Sequence, residues 1–164
     1  MKTILLTLII SLLSCTKEEL PISNVLSDPI NGKVIKIKDG DTIVILDSNN
    51  DQYTIRVADI DCPEKAQPFG TKAKQFTSSE VFGKQVTIDK KNLDKYGRIV
   101  GYVMYEGKNL SIELLKVGFA WHYKYYSKDQ NMANIETNAK QNRAGLWIDN
   151  NPINPYDWRK GKRK

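Results

Sequence analysis

The chain is poor in the residues of soft-metal and thiol chemistry: of 164 residues one is histidine, His122, and two are cysteines, Cys15 and Cys62. Without clustered imidazoles or thiolates the sequence argues against a zinc or copper centre. A Cys62–His122 nucleophilic pair is disfavoured as well, because acids surround Cys62 and their charge suppresses thiolate. Long apolar runs are also missing. The N-terminal run from Ile4 to Leu13 has ten residues, half of the ~20 that a helix needs to cross a bilayer. No internal repeat or low-complexity tract is present. Acids are outnumbered, 19 against 25 Lys and Arg, for a net charge of +6, a balance that favours polyanionic partners such as nucleic acid or anionic lipid. Hydrophobic and charged contents of 40% and 27% are ordinary for a soluble globular domain and assign no function. The length allows one domain with extensions.

Lys2, the short apolar run and the polar Thr16-Lys17-Glu18-Glu19 have the layout of an export signal. Within it, Leu12-Leu13-Ser14-Cys15 resembles the bacterial lipobox, in which the cysteine is lipidated and becomes the first mature residue. The expected division is therefore a signal peptide over residues 1–14 and a lipid-anchor Cys15 with a flexible spacer over 15–30. The product would be an exported lipoprotein held on the cell envelope through Cys15. An ordinary signal peptide cut nearby, giving a secreted protein, and an uncleaved anchor are the rival readings. A Cys15–Cys62 disulfide requires that Cys15 is not lipidated. At the other end, residues 150–164 read as a basic C-terminal tail, and the last six of them, 159–164, hold five cations and no acid, which predicts a disordered, solvated end.

Between these ends lie strand signals. Val34, Ile35 and Ile37 break at Asp39-Gly40; Ile43-Val44-Ile45-Leu46 follows, then a turn over residues 47–51, then alternating Tyr53, Ile55 and Val57. Three such runs joined by Asp/Asn/Gly turns read as an antiparallel meander. Phe69, Ala73 and Phe76 recur at helical spacing up to Val81, with Gly83 as a stop. Val86 and Ile88 mark a fourth strand, and residues 99–105 a fifth. Residues 110–117 and the stripe Met132, Ile135, Ala139 read as helices. Five strands with an inserted helix and two further helices predict an α+β protein: an OB-type, five-stranded Greek-key barrel with about three α-helices.

Three polar clusters carry the chemistry. Asp39-Gly40-Asp41-Thr42 alone is an ordinary hairpin turn. The segment from Arg56 through Asp59, Asp61, Cys62 and Pro63 to Glu64 changes that balance. Pro63 forces Cys62 into extended geometry and aims the Cys62 carbonyl and the Glu64 side chain separately. So many acids repel one another at a dry site unless a cation or arginine sits among them. The third cluster, Asp94-Lys95-Tyr96-Gly97-Arg98, is a good turn, and its arginine offers a planar fork for phosphate oxygens at a site built around Arg56. Oxygen ligands, a carboxylate for a proton and two arginines are the equipment of phosphodiester hydrolysis. The run Trp121-His122-Tyr123-Lys124-Tyr125-Tyr126 interleaves rings with a cation, suited either to stacking bases or to packing the barrel against the last helix.

At these residues, and at Gly118-Phe119-Ala120 and Gly145-Leu146-Trp147, the chain resembles the staphylococcal-nuclease-like, or thermonuclease, family over residues 31–149. The resemblance implies a calcium-dependent nuclease. Asp41, Asp61 and the Cys62 backbone carbonyl would bind the ion. Glu64 would assist the attacking water, and Arg56 and Arg98 would stabilise the phosphoryl transition state. The 5′-oxygen would leave, giving 3′-phosphate products. Asp39 and Asp59 would be supporting. DNA is the implied substrate with RNA as a further candidate, Lys95, Tyr96, Tyr123, Lys124 and Tyr125 are candidate nucleic-acid contacts, and a monomer is expected. The ligand chemistry alone also admits Mg2+. Two departures stand out: Cys62 occupies a position commonly threonine in the best-known member, and residues 65–71 look shorter than its loop. The alternative function is a non-catalytic OB module that binds single strands at a cell surface.

Overall fold

The computed structural model describes residues 28–163, so residues 1–14 read as a signal peptide, Cys15 and most of the stretch read as a spacer lie outside the described residues. Strand β1 (Ile30–Asp39) runs antiparallel to β2 (Thr42–Leu46), with Val34 opposite Ile45 and Ile37 opposite Ile43. β2 pairs with β3 (Gln52–Val57), and β5 (Gln85–Leu93) joins β1 to β6 (Ile99–Tyr105). A parallel ladder between β3 and β6, with Ile55 opposite Ile99 and Arg56 opposite Val100, closes the circle. The five-stranded mixed barrel matches the fold predicted from the strand pattern.

Closure follows from alternation. Ile43, Ile45, Ile55, Val57, Ile88 and Val103 point inward and are fully buried, each contributing about 1.5–3 kcal/mol of apolar burial. Arg56, between Ile55 and Val57, therefore faces out. Helix α1 (Gly70–Val81) packs Ala73, Thr77 and Val81 against β1, and the Thr77 hydroxyl donates to the Gly40 carbonyl at 2.6 Å. That bond pins the first acidic turn from below. Helix α2 (Leu110–Lys116) buries Leu110, Leu114 and Leu115 and is capped by Asn109, whose side chain accepts from Ser111 N. The Ser111 hydroxyl in turn donates to Ala58 O at 2.8 Å. Helix α3 (Gln130–Gln141) starts at Asp129, which accepts from Met132 N, a side-chain cap of the usual kind.

Three short strands were not visible in the sequence pattern. β4 (Ile60–Asp61) pairs with β8 (Trp121–His122) in a two-residue ribbon, with Asp61 opposite Trp121. β7 (Lys108–Asn109) turns back on β6. The C-terminal segment is a correction. Asn154 accepts from Tyr156 N, Pro155 occupies the first turn, and helix α4 (Pro155–Arg159) forms within the segment read as the basic tail, taking in Arg159, the first of the six residues expected to be disordered. Proline fits there because the first-turn N–H has no helical partner. The later cations are surface-exposed but fold back on the same short helix: Lys160 lies over the Tyr156 ring, Lys162 pairs with Asp157 at 3.4 Å and Arg163 stacks on Trp158 at 3.8 Å.

Candidate active site

The β1–β2 turn, the end of β3 and the β4 ribbon converge at one side of the barrel. Asp41 is 6% exposed and Asp61 2%. Asp41 is fixed by neighbours: Cys62 N donates to its Oδ2 at 2.7 Å and the Thr42 hydroxyl to its Oδ1 at 3.3 Å. The outward-facing Arg56 reaches both acids, placing Nη2 at 3.2 Å from Asp41 Oδ2 and 3.0 Å from Asp61 Oδ1, while Nη1 donates to Val57 O at 2.7 Å. Burial works against the Arg56 charge, but Asp41 and Asp61 outweigh it and raise its pKa above the ordinary arginine value.

Glu64 sits half-exposed beyond Asp61. Its backbone is caged: Glu64 N donates to Gln67 Oε1, Gln67 N to Glu64 O, and Gln67 Nε2 to Ile153 O at 2.6 Å. Gly70 closes the cage from the helix side, where a Cβ would lie 1.9 Å from the Glu64 carbonyl oxygen and 2.7 Å from its carbon. Because the obstacle is backbone, Gly70→Ala is expected to destabilise the domain by on the order of 3 kcal/mol and to shift Glu64. Urea unfolding checks the first and nucleic-acid cleavage the second. A variant with wild-type stability would mean that the loop yields freely.

A guanidinium not anticipated from the sequence completes the group. Arg159 of α4 forms a fork on Asp61, with Nη1 to Oδ1 at 3.2 Å and Nη2 to Oδ2 at 2.9 Å, and its Nη1 also donates to Glu64 Oε1 at 2.8 Å. The sequence signal was an Asn-Pro helix start at 154–155, overshadowed by the basic run. Arg98 is placed differently from expectation. Its Nε donates to Asp94 Oδ2 at 2.7 Å, its N–H donates to Asp94 Oδ1, and its guanidinium lies 5.5 Å from the Tyr96 ring centre. The turn thus holds its own arginine rather than delivering it onto Asp41, Asp61 or Glu64. Arg98 immediately precedes β6, whose Val100 pairs with Arg56, so alternation puts both arginines on one face of the closing ladder. Lys95 stacks on Tyr96 at 5.0 Å.

Asp59, expected in a supporting role, is held by Lys91 Nζ at 2.7 Å and by the Tyr102 hydroxyl. Asp39 is pushed up to about 6, by burial first and then by Asp41. Burial also raises Asp61, although Arg159 and Arg56 pull the other way. The donors are all oxygens: two fixed carboxylates and the Cys62 carbonyl. Among the described residues no three His, Cys, Asp or Glu side chains group to hold a metal. A two-carboxylate oxygen set fits a hard cation that keeps carbonyl or water ligands, not zinc. Cys62 itself is a buried free thiol held well above its ordinary pKa by burial and then by Asp41. His122 Nε2 is 2.9 Å from the Ser127 hydroxyl. Neither group is set up as a nucleophilic dyad.

From Asp61 a cleft of about 730 Å³ extends along Tyr123, Lys124, Tyr125, Tyr126 and Tyr156. Tyr125 and Tyr126 are strongly exposed and meet edge to face at 4.8 Å, as do Tyr123 and Tyr126 at 4.9 Å. Lys124 lies 3.0 Å from the buried Glu136, which Lys140 also meets at 2.9 Å. The two lysines hold the Glu136 carboxyl below its usual range against the opposing effect of burial. Trp121 packs instead on Trp147, 4.9 Å between centres, so the aromatic run divides between cleft and core.

The sequence model described as "Staphylococcal nuclease homologue" matches residues 54–149. A Haemophilus influenzae protein named an uncharacterized endonuclease is 42% identical over 131 residues, covering 80% of this chain and 74% of that one. A Shigella flexneri protein named micrococcal nuclease is 38% identical over 143 residues, covering 80% and 82%. The Arabidopsis thaliana staphylococcal-like nuclease CAN1 is 40% identical over 112 residues, or 68% of this chain and 35% of the plant protein.

Proposed function

Since the chain belongs to the staphylococcal nuclease homologue family, we propose that it is a nuclease that hydrolyses phosphodiester bonds of DNA, and also of RNA, with Ca2+ as its cation. The observation that carries this reading is the Arg56 guanidinium bridging Asp41 and Asp61, with the half-exposed Glu64 joined to Asp61 through Arg159. Asp41, Asp61 and the Cys62 carbonyl would hold the ion, which when bound neutralises phosphate charge and polarises a phosphoryl oxygen.

The protein's own residues do the rest. Glu64, caged at its backbone and open at its carboxylate, orients water and takes its proton. Arg56 donates to the phosphoryl oxygens that gain charge in the transition state. Arg98, partly exposed and on the same face, leaves Asp94 to add a second guanidinium. Tyr123, Tyr125 and Tyr126 offer faces to unpaired bases along the cleft, a contact worth about 1–3 kcal/mol per base. Lys95 and Tyr96 extend that surface.

Incubating plasmid with purified protein, with added Ca2+, with Mg2+ and with chelator, tests the reading. Cleavage restored by Ca2+ is expected, and Arg98→Ala is expected to lower it about 10²–10³-fold. Binding without cleavage under every condition would leave a non-catalytic OB module. For location, we propose a lipoprotein anchored through Cys15. Fractionation is expected to move activity out of the membrane in Cys15→Ser, and wild-type activity wholly in the medium would replace the anchor by secretion.

A further inference from the structure

Arg159 occupies the place between the cation-binding carboxylate and the water-activating one. Both oxygens of Asp61 accept from its fork, and one oxygen of Glu64 accepts from the same Nη1. This is a built position. Asn154 caps the short helix that carries Arg159. The Gln67–Ile153 bond ties the approach to the Glu64 loop. Trp158, the residue before it, lines an apolar recess with Pro68, Phe69, Trp121 and Leu146. The guanidinium pKa is raised far above the ordinary arginine value, burial being outweighed by the bonds to Asp61 and Glu64, so the charge is permanent.

A fork that covers both Asp61 oxygens and a divalent cation on the same carboxylate exclude each other, by space and by like charge. Arg159 therefore has two positions. With its side chain 40% exposed at the rim, it can leave Asp61 without unfolding anything, and the cleft lined by Asp61, Tyr156 and Asp157 lies beside it. We propose that Arg159 is a third arginine of the hydrolytic site: the counter-ion of Asp61 and Glu64 before the cation binds, and a ligand of the substrate phosphate once it has given up Asp61. This rests on the nuclease reading and adds a residue delivered from outside the span matched by the family, 54–149. The arrangement makes cation and phosphate binding cooperative, because one guanidinium released by the first is freed for the second.

The test needs no turnover. Ca2+ is titrated calorimetrically into chelator-stripped wild-type, Arg159→Gln and Arg159→Lys proteins, each first shown to unfold cooperatively. Losing a charge-assisted fork is expected to tighten Ca2+ binding about ten- to a hundredfold in Arg159→Gln. Arg159→Lys, which keeps the charge but not the fork, is expected to fall between the two. At saturating Ca2+, thymidine 5′-monophosphate is expected to bind Arg159→Gln about tenfold more weakly than wild type. Unchanged or weaker Ca2+ affinity in Arg159→Gln, or unchanged mononucleotide affinity, overturns the role given to Arg159 and leaves the nuclease reading standing. A wild-type protein that binds no Ca2+ overturns both.

Discussion

Glu64→Gln is expected to lower turnover about 10²–10⁴-fold, the range spanned by a positioned general base, while leaving folding stability almost unchanged. The amide is isosteric, and the cage formed by Gln67 and Gly70 grips the Glu64 backbone rather than its carboxylate. One hydrogen bond, from Arg159, changes from charged to neutral acceptance. The side chain is 38% exposed, so water replaces most of what is lost. The measurement is single-turnover cleavage of an oligonucleotide beside a urea melt of the same preparation. Wild-type turnover in a folded variant would remove Glu64 from the chemistry.

Arg56→Ala is expected to strike both stability and activity. Two buried acids converge on Arg56, and removing it leaves them with Arg159 on Asp61 and no cationic partner within ion-pairing distance of Asp41 among the described contacts. Breaking a buried pair by deleting one partner costs about 3–5 kcal/mol. The cost should be largest without Ca2+ and shrink when Ca2+ supplies the missing charge, through ordinary ligand linkage. Turnover should fall a further 10²–10³-fold at saturating Ca2+ for want of a transition-state donor. Thermal melts with and without Ca2+ check the first statement and cleavage rates the second. A variant as stable as wild type in chelator would show that the acids are protonated there and need no partner.

The barrel was legible because its information is local. Alternation in Ile43, Ile45, Ile55 and Val57 fixes which way each strand faces, and that same alternation turns Arg56 outward toward the acids. Ion pairs across large sequence distances leave no such periodic trace. Asp61 meets Arg159 across 98 positions, and a run of five cations gives no hint that its first member is folded onto two acids. The β4–β8 ribbon was missed for a related reason: two residues are too few to show a period of two. Arg98 shows the local counterpart. Its nearest acid, Asp94, lies four residues away and accepts two bonds from it, a local competitor that motif spacing does not weigh.

The long reach between Asp61 and Arg159 also sets an order of events. Asp41, Arg56, Asp61 and Glu64 leave the ribosome within a stretch of two dozen residues, yet their barrel cannot close until β6 arrives to pair with β3. The last guanidinium follows some sixty residues later still. Contacts so distant in sequence form late because loop closure must be met before they repay it. During synthesis Asp61 and Glu64 therefore wait for Arg159 long after Arg56 has emerged beside them, and the finished site is expected among the last features to form.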